Sequence, residues 1–164
     1  MISKAMQDAL NDQINKEFYS SYLYLAMAAW FETRNLPGMA VWLRKQAGEE
    51  REHAMKLFDH MADRGGKALL KTIEAPRSEW GSSMEAFKDA QAHEAKVTAS
   101  INALYELALK EKDYPAQVLL QWFISEQVEE EKSAAEIVSQ LEMVEARESA
   151  ILMLDHRLGK RGAA

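Results

Sequence analysis

In the run Glu50-Arg-Glu-His53 a carboxylate and an imidazole stand three residues apart. On a helix that spacing puts both on one face, a turn apart, where they can ligate the same cation or adjacent ones. Glu50 also takes a place that its surroundings mark as apolar, because Leu43, Ala47, Ala54, Leu57 and Met61 continue the same three-and-four spacing on either side. The fault recurs in three other segments. Leu10, Ile14, Ser21, Tyr24, Ala28 and Phe31 form a seam broken by Glu17, and Phe87, Ala90, Val97, Ile101, Leu104 and Ala108 form one broken by Glu94. Ala116, Leu120, Phe123, Ala134, Ile137, Leu141 and Val144 keep step with two consecutive polar positions, Gln127 and Glu130. A single helical glutamate is ordinarily solvated, and burying an unpaired one is costly. Four core seams, each broken near its middle by such a group, are explained most simply by cations that neutralise the carboxylates.

The elements that must position these residues are helices. Apolar periodicity of three and four runs through four long stretches rich in Ala, Leu, Met, Glu and Lys, and strand signals are weak. The spacing predicts an all-α chain with helices from about Lys4 to Arg34, on to Arg64 after Asn35-Leu-Pro-Gly38, from Ser82 to about Glu111, and from Pro115 to about Glu145. Gly65-Gly66 suits a helix C-terminus, Ser82 with Glu85 a capping box, and Pro115 the first turn of the fourth helix. A short fifth helix is predicted over Arg147 to Leu158. Tight corners make helices one and two, and three and four, antiparallel neighbours. The segment between helices two and three, about 65–82, is long for a structureless connection. At roughly 3.3 Å per residue it spans more than ~50 Å, whereas a helix of about 28 residues measures about 42 Å. It can therefore run the length of a bundle, giving one four-helix domain over 1–164 with a single long crossover and a bundle at about 4–145. Glu17, Glu50, Glu94, Gln127 and Glu130 each lie near the midpoint of their helix, and midpoints share one layer whatever the helix directions.

Composition narrows the chemistry. A chain of 164 residues can bury a full core without covalent staples. With no cysteine, disulfides, thiolate metal sites and cysteine nucleophiles are excluded, so a metal must be held by oxygen and imidazole. The opening MISKAMQDAL has no apolar signal core, and the apolar run Leu23 to Phe31 is too short for a bilayer. The expectation is a cytoplasmic protein that meets no membrane. A formal charge of -6 speaks against nucleic acid as a partner and for cations. The sharpest acidic cluster, Glu126 with Glu129, Glu130 and Glu131, adjoins the fourth seam break.

With these residues in view, the chain resembles the non-haem ferritins. Glu17, Tyr24, Glu50-Arg-Glu-His53, Glu94 and Gln127-Val-Glu-Glu130 stand at the spacing of their ferroxidase centre, and the likeness takes in the long crossover and the short fifth helix. The resemblance implies that Glu17, Glu50 and His53 bind one iron and that Glu50, Glu94 and Glu130 serve a second, with Glu50 bridging. It implies that Gln127 hydrogen-bonds an iron-bound oxygen species and that Tyr24 lies beside the centre as hydrogen-bond partner or electron donor. In the bacterial and archaeal branch a third iron site is built from Glu49, Glu126, Glu129 and Glu130, all present here. The family implies oxidation of Fe(II) by dioxygen or hydrogen peroxide, storage of Fe(III) as a mineral, and a hollow shell of twenty-four identical subunits. Arg51 replaces the methionine of the haem-binding bacterioferritins that the chain also resembles, so no haem is expected.

One departure bears on chemistry. Generic di-iron bundles carry two Glu-x-x-His motifs, and here the second is Gln127-x-x-Glu130. A second metal with fewer anionic ligands is held more loosely, which suits a centre that passes iron on. The rival reading is a self-contained di-iron or di-manganese oxidoreductase such as a rubrerythrin-like peroxidase, for which the missing motif is unfavourable. A metal-free helical interaction module is the other, and buried carboxylates on all four seams count against it. His60, His93 and His156 read as surface side chains, and the resemblance makes Asp113 a candidate for the lining of an iron channel.

Overall fold

The computed structural model describes residues 2–144 and 147–161. It holds five helices, α1 (Lys4–Glu32), α2 (Pro37–Asp63), α3 (Ser83–Lys110), α4 (Tyr114–Val144) and α5 (Glu148–Leu158). Their starts and stops fall within two residues of the periodicity reading; Glu145, the expected end of the fourth helix, lies outside the described residues.

The three corners close in the same way. Gly65 has φ +70°, with its N–H on Ala62 O and that of Gly66 on Met61 O, both at 2.9 Å. That pair of bonds around a left-handed residue satisfies the last carbonyls of α2. Asn35 (φ 56°) does the same for α1, through Leu36 N–H on Phe31 O, and Lys112 (φ 54°) for α3, through Asp113 N–H on Ala108 O. Ser82 Oγ accepts Glu85 N–H at 3.1 Å as expected, but the Glu85 carboxylate reaches back to Gly81 N–H rather than to Ser82.

α1 packs on α2 and α3, α3 packs on α4, and α5 lies across α2 and α4. The crossover follows α1 from end to end. Near its start, buried Asn11 donates to Lys67 O and accepts Leu69 N–H, while Gln7 accepts Lys67 N–H. Near its finish, Trp80 is buried edge-on against Trp30, and Arg77 bridges Glu85 and Asp89 of α3. These bonds fix the backbone of a segment that has no hydrogen-bonded ladder of its own.

The apolar core is in two parts. One cluster gathers Tyr24, Phe31, Leu43, Ala47, Phe87, Ala90 and Ile137; the other gathers Leu10, Ile14, Leu57, Val97, Ile101, Leu120 and Phe123. Along every long helix the change of cluster falls at the seam break: between Ile14 and Tyr24, Ala47 and Leu57, Ala90 and Val97, Phe123 and Ile137. A polar layer therefore crosses the middle of the bundle, walled above and below by side chains whose burial contributes about 1.5–3 kcal/mol each.

Candidate metal centre

The layer contains Glu17 (1% exposed), Glu50 (1%), Glu94 (1%), Gln127 (2%), His53 (4%) and Glu130 (6%). One oxygen each of Glu17 and Glu50 and one nitrogen of His53 lie within 4.8 Å of one another. His53 Nδ1 is 3.4 Å from Glu50 Oε2. Glu17 Oε2, both Glu50 oxygens and His53 Nδ1 are buried and find no hydrogen-bond partner among the described residues. Unsatisfied buried acceptors are rare because each forfeits its hydration, and here they come from three side chains that bring ligand atoms together. Oxygen and imidazole donors of this kind suit Fe(II), Mn(II) or Zn(II).

A second group brings one ligand atom each of His53, Glu126 and Glu130 within 4.8 Å. Glu94 belongs to neither group. Tyr24 Oη donates to Glu94 Oε1, and Gln127 Nε2 donates to Glu94 Oε2 at 3.2 Å and to Thr98 Oγ1 at 3.2 Å. Tyr24 and Gln127 thus hold Glu94 in place from two sides. Of the acidic residues expected at a third site, Glu126 is half-buried beside Glu130, Glu49 is ion-paired to Arg161 at 2.6 Å, and Glu129 is exposed.

Electrostatics follows from packing four carboxylates into a buried layer. Burial pushes Glu17 and Glu50 well above the ordinary carboxylate range, and the charge of Glu50 adds to the effect at Glu17. Glu94 is raised by burial despite its bonds to Tyr24 and Gln127. Glu130 is pushed up to about 7 by burial and by Glu94. Tyr24 is raised well above its usual value by burial and the neighbouring carboxylates, which keeps its hydroxyl a donor. Among the described residues no Lys or Arg side chain touches Glu17, Glu50 or Glu94 to balance this charge, and a divalent cation would do so.

Several residues around the layer escaped the periodicity argument. Gln13 donates to Glu17 Oε1 at 2.8 Å, and Gln46 donates to Glu130 Oε2. Both are buried, and each stands four residues before a seam glutamate, Glu17 or Glu50. An amide one turn ahead of a buried carboxylate was the signal available. Trp122 and Phe123 meet the His53 ring edge-on at 5.4 and 5.8 Å between centroids, fixing its plane.

One of the histidine expectations needs correction. His93 is half-buried rather than exposed: it lies between Tyr19 and Tyr24, 2.7 Å from Ser20 Oγ, and burial pulls it down to about 4. Ser20 donates its hydroxyl to Lys16 O, which leaves its lone pairs to accept from His93 Nε2–H. His60 is half-buried beside Arg64, and His156 is exposed as expected. Asp113 is buried at the α3–α4 corner, where one oxygen takes both Ala116 N–H (3.1 Å) and Arg64 Nη1 (2.5 Å). That carboxylate caps α4 and balances a cation in place.

A sequence model described as a ferritin-like domain matches residues 7–144. The chain is 39% identical to a bacterial non-heme ferritin of Bacteroides fragilis, over 98% of this chain and 100% of that protein. It is 44% identical to one from Staphylococcus epidermidis over 81% of this chain and 80% of that protein. A solved structure of an open pore ferritin from the hyperthermophilic archaeon Archaeoglobus fulgidus superposes with a TM-score of 0.96 at 46% identity, covering 97% of this chain and 98% of that one. With its two-part core, its long crossover and a carboxylate–imidazole layer at mid-bundle, the chain belongs to the ferritin family, in the non-haem branch of bacteria and archaea.

Proposed function

We propose that the protein oxidises Fe(II) to Fe(III) at a dinuclear site in the polar layer and stores the product as a ferric mineral. The observation that carries this reading is the group of unpartnered buried atoms on Glu17, Glu50 and His53. Glu17, Glu50 and His53 hold one iron; Glu50 bridges to a second served by Glu94 and Glu130. Gln127 and Tyr24 keep Glu94 aimed at the pair, and Gln127 offers an amide to bound oxygen. Two Fe(II) ions give one electron each to dioxygen, which takes up two protons and leaves as hydrogen peroxide; peroxide accepts two electrons in the same way. Each Fe(III) then hydrolyses to oxo-hydroxide and releases protons. A third site formed by Glu49, Glu126, Glu129 and Glu130 receives iron on its way out.

Support for a shell of twenty-four copies comes from the family and from α5, whose Leu152 and Met153 are 57% and 75% exposed. Apolar side chains left uncovered on a short terminal helix fit a contact between subunits. Among the described residues no helix is long and apolar enough to cross a membrane, and the absence of cysteine suits a reducing cytoplasm.

The test adds Fe(II) in air to metal-free wild type and Glu50→Ala and follows ferric absorbance and iron co-eluting with the protein at rising loads. Rapid oxidation of two irons per chain, then retention of many more, with both much slowed in the variant, is the expected result. Retention that stops at two irons identifies a self-contained di-iron enzyme, and equal behaviour of the two proteins overturns the site.

A further inference from the structure

Beyond the end of α5, Arg161 turns back over α2 and makes three contacts there. Its guanidinium carbon stands 4.6 Å from the centre of the Trp42 ring, Nη1 donates to Gln46 Oε1 at 2.8 Å, and Nη2 donates to Glu49 Oε2 at 2.6 Å. The middle contact sets the orientation of a buried amide. With Gln46 Oε1 taken by Arg161, the Gln46 NH2 group must face Glu130, to which it donates. One cation thus binds Glu49 directly and reaches Glu130 through Gln46. A guanidinium held by an aromatic face and a two-pronged donor fork is already organised for this task.

Glu49 and Glu130 are two of the four carboxylates assigned above to the third iron. Arg161 holds Glu49 Oε2, so a metal ion that takes both Glu49 oxygens displaces that hydrogen bond, and any metal ion on Glu49 repels the guanidinium. We propose that Arg161 is a built-in counter-ion of the third metal site, displaced when a metal ion arrives and returning when it leaves. This rests on the reading of Glu49, Glu126, Glu129 and Glu130 as a metal site. Departure of Arg161 also frees Gln46 to rotate, so Glu130 loses its fixed donor at the moment when it must turn from the second iron towards the third. Occupancy of the site and docking of the chain end on Trp42 oppose each other, and the coupling is reciprocal.

Zn(II), a d10 ion without redox chemistry, serves as the probe. It is titrated calorimetrically into metal-free wild type, Arg161→Ala and Arg161→Lys. The third equivalent should bind about tenfold tighter to Arg161→Ala than to wild type, within the usual span of coupling between sites. The first equivalent, held by Glu17, Glu50 and His53, should bind alike in all three proteins, and Arg161→Lys, which keeps the positive charge, should stay near wild type. Trp42 emission, taken as the difference between each protein and its Trp42→Phe partner, should change at the third equivalent in wild type and not in Arg161→Ala. A third equivalent bound equally by wild type and Arg161→Ala, with no change in Trp42, overturns the role of Arg161 while leaving the site intact. Binding that ends at two equivalents in both proteins removes the third site itself and the displacement with it.

Discussion

His53 Nδ1 lies 3.4 Å from Glu50 Oε2, one turn along α2, and neither atom has a hydrogen-bond partner among the described residues. Two polar groups fully withdrawn from water at that distance are costly to hold in a metal-free fold and are suited to share an ion. Stability and metal binding should therefore pull in opposite directions at this position.

Glu50→Gln keeps the shape and removes the charge. Metal-free Glu50→Gln should be more stable than wild type by about 1–3 kcal/mol, in the range seen when uncompensated buried charges are removed. Urea unfolding in the presence of chelator measures the gain, and the same variant should fail to be stabilised by added Zn(II). A Glu50→Gln protein less stable than wild type would mean that the carboxylate is satisfied without metal.

The carboxylates give the metal-free protein a pH dependence of definite sign. The folded values of Glu17, Glu50, Glu94 and Glu130 lie above the unfolded value of 4.5. Their contribution is fully present below pH 4.5 and is lost as pH rises through the folded values, about 7 for Glu130. His93 works in the other direction, since its lowered value makes folding less favourable as pH falls from 6.5 towards 4. Metal ions require the carboxylates ionised, so stabilisation by Zn(II) should grow between pH 5 and pH 8 and be accompanied by proton release. Denaturation midpoints with and without the ion, at four pH values, check both slopes.

At the α3–α4 corner, Asp113→Ala removes a helix cap and leaves Arg64, 17% exposed, without its carboxylate. The expected loss is about 2–3 kcal/mol. Asp113→Asn keeps an oxygen for Ala116 N–H and should cost less than half as much. Thermal unfolding of the two variants separates the cap from the ion pair.

Gly38 opens α2 beneath α5, where the Asp155 carboxylate accepts Met39 N–H at 2.8 Å and supplies the cap that Leu36 cannot. A β-carbon on Gly38 would overlap the backbone carbonyl of Asp155. Gly38→Ala should force α5 off α2 and release Arg161 with it. Hydrogen exchange over residues 148–158 should rise at least tenfold, an opening of roughly 1.4 kcal/mol or more, while α1 to α4 keep their protection.

The sequence by itself determined the helices, their antiparallel pairing, and the six residues of the polar layer. Those follow from periodicity, because one face of each helix must be buried and a carboxylate on that face at mid-length has nowhere else to go. Gln127 was legible as a member of the layer and Tyr24 as a seam residue beside it, but their shared hold on Glu94 required the distance between α1, α3 and α4. Side chains that act across helices were decided only by tertiary packing. Asn11 holds the crossover through backbone groups more than fifty positions away. His93 is shielded by Tyr19 and Tyr24 of another helix, Asp155 caps α2 from α5, and Arg161 reaches Gln46 and Glu49 from the far end of the chain. Spacing along a helix reports which face a residue occupies. Which donor meets which acceptor depends on where separate helices come to rest, and no pattern within one segment carries that information.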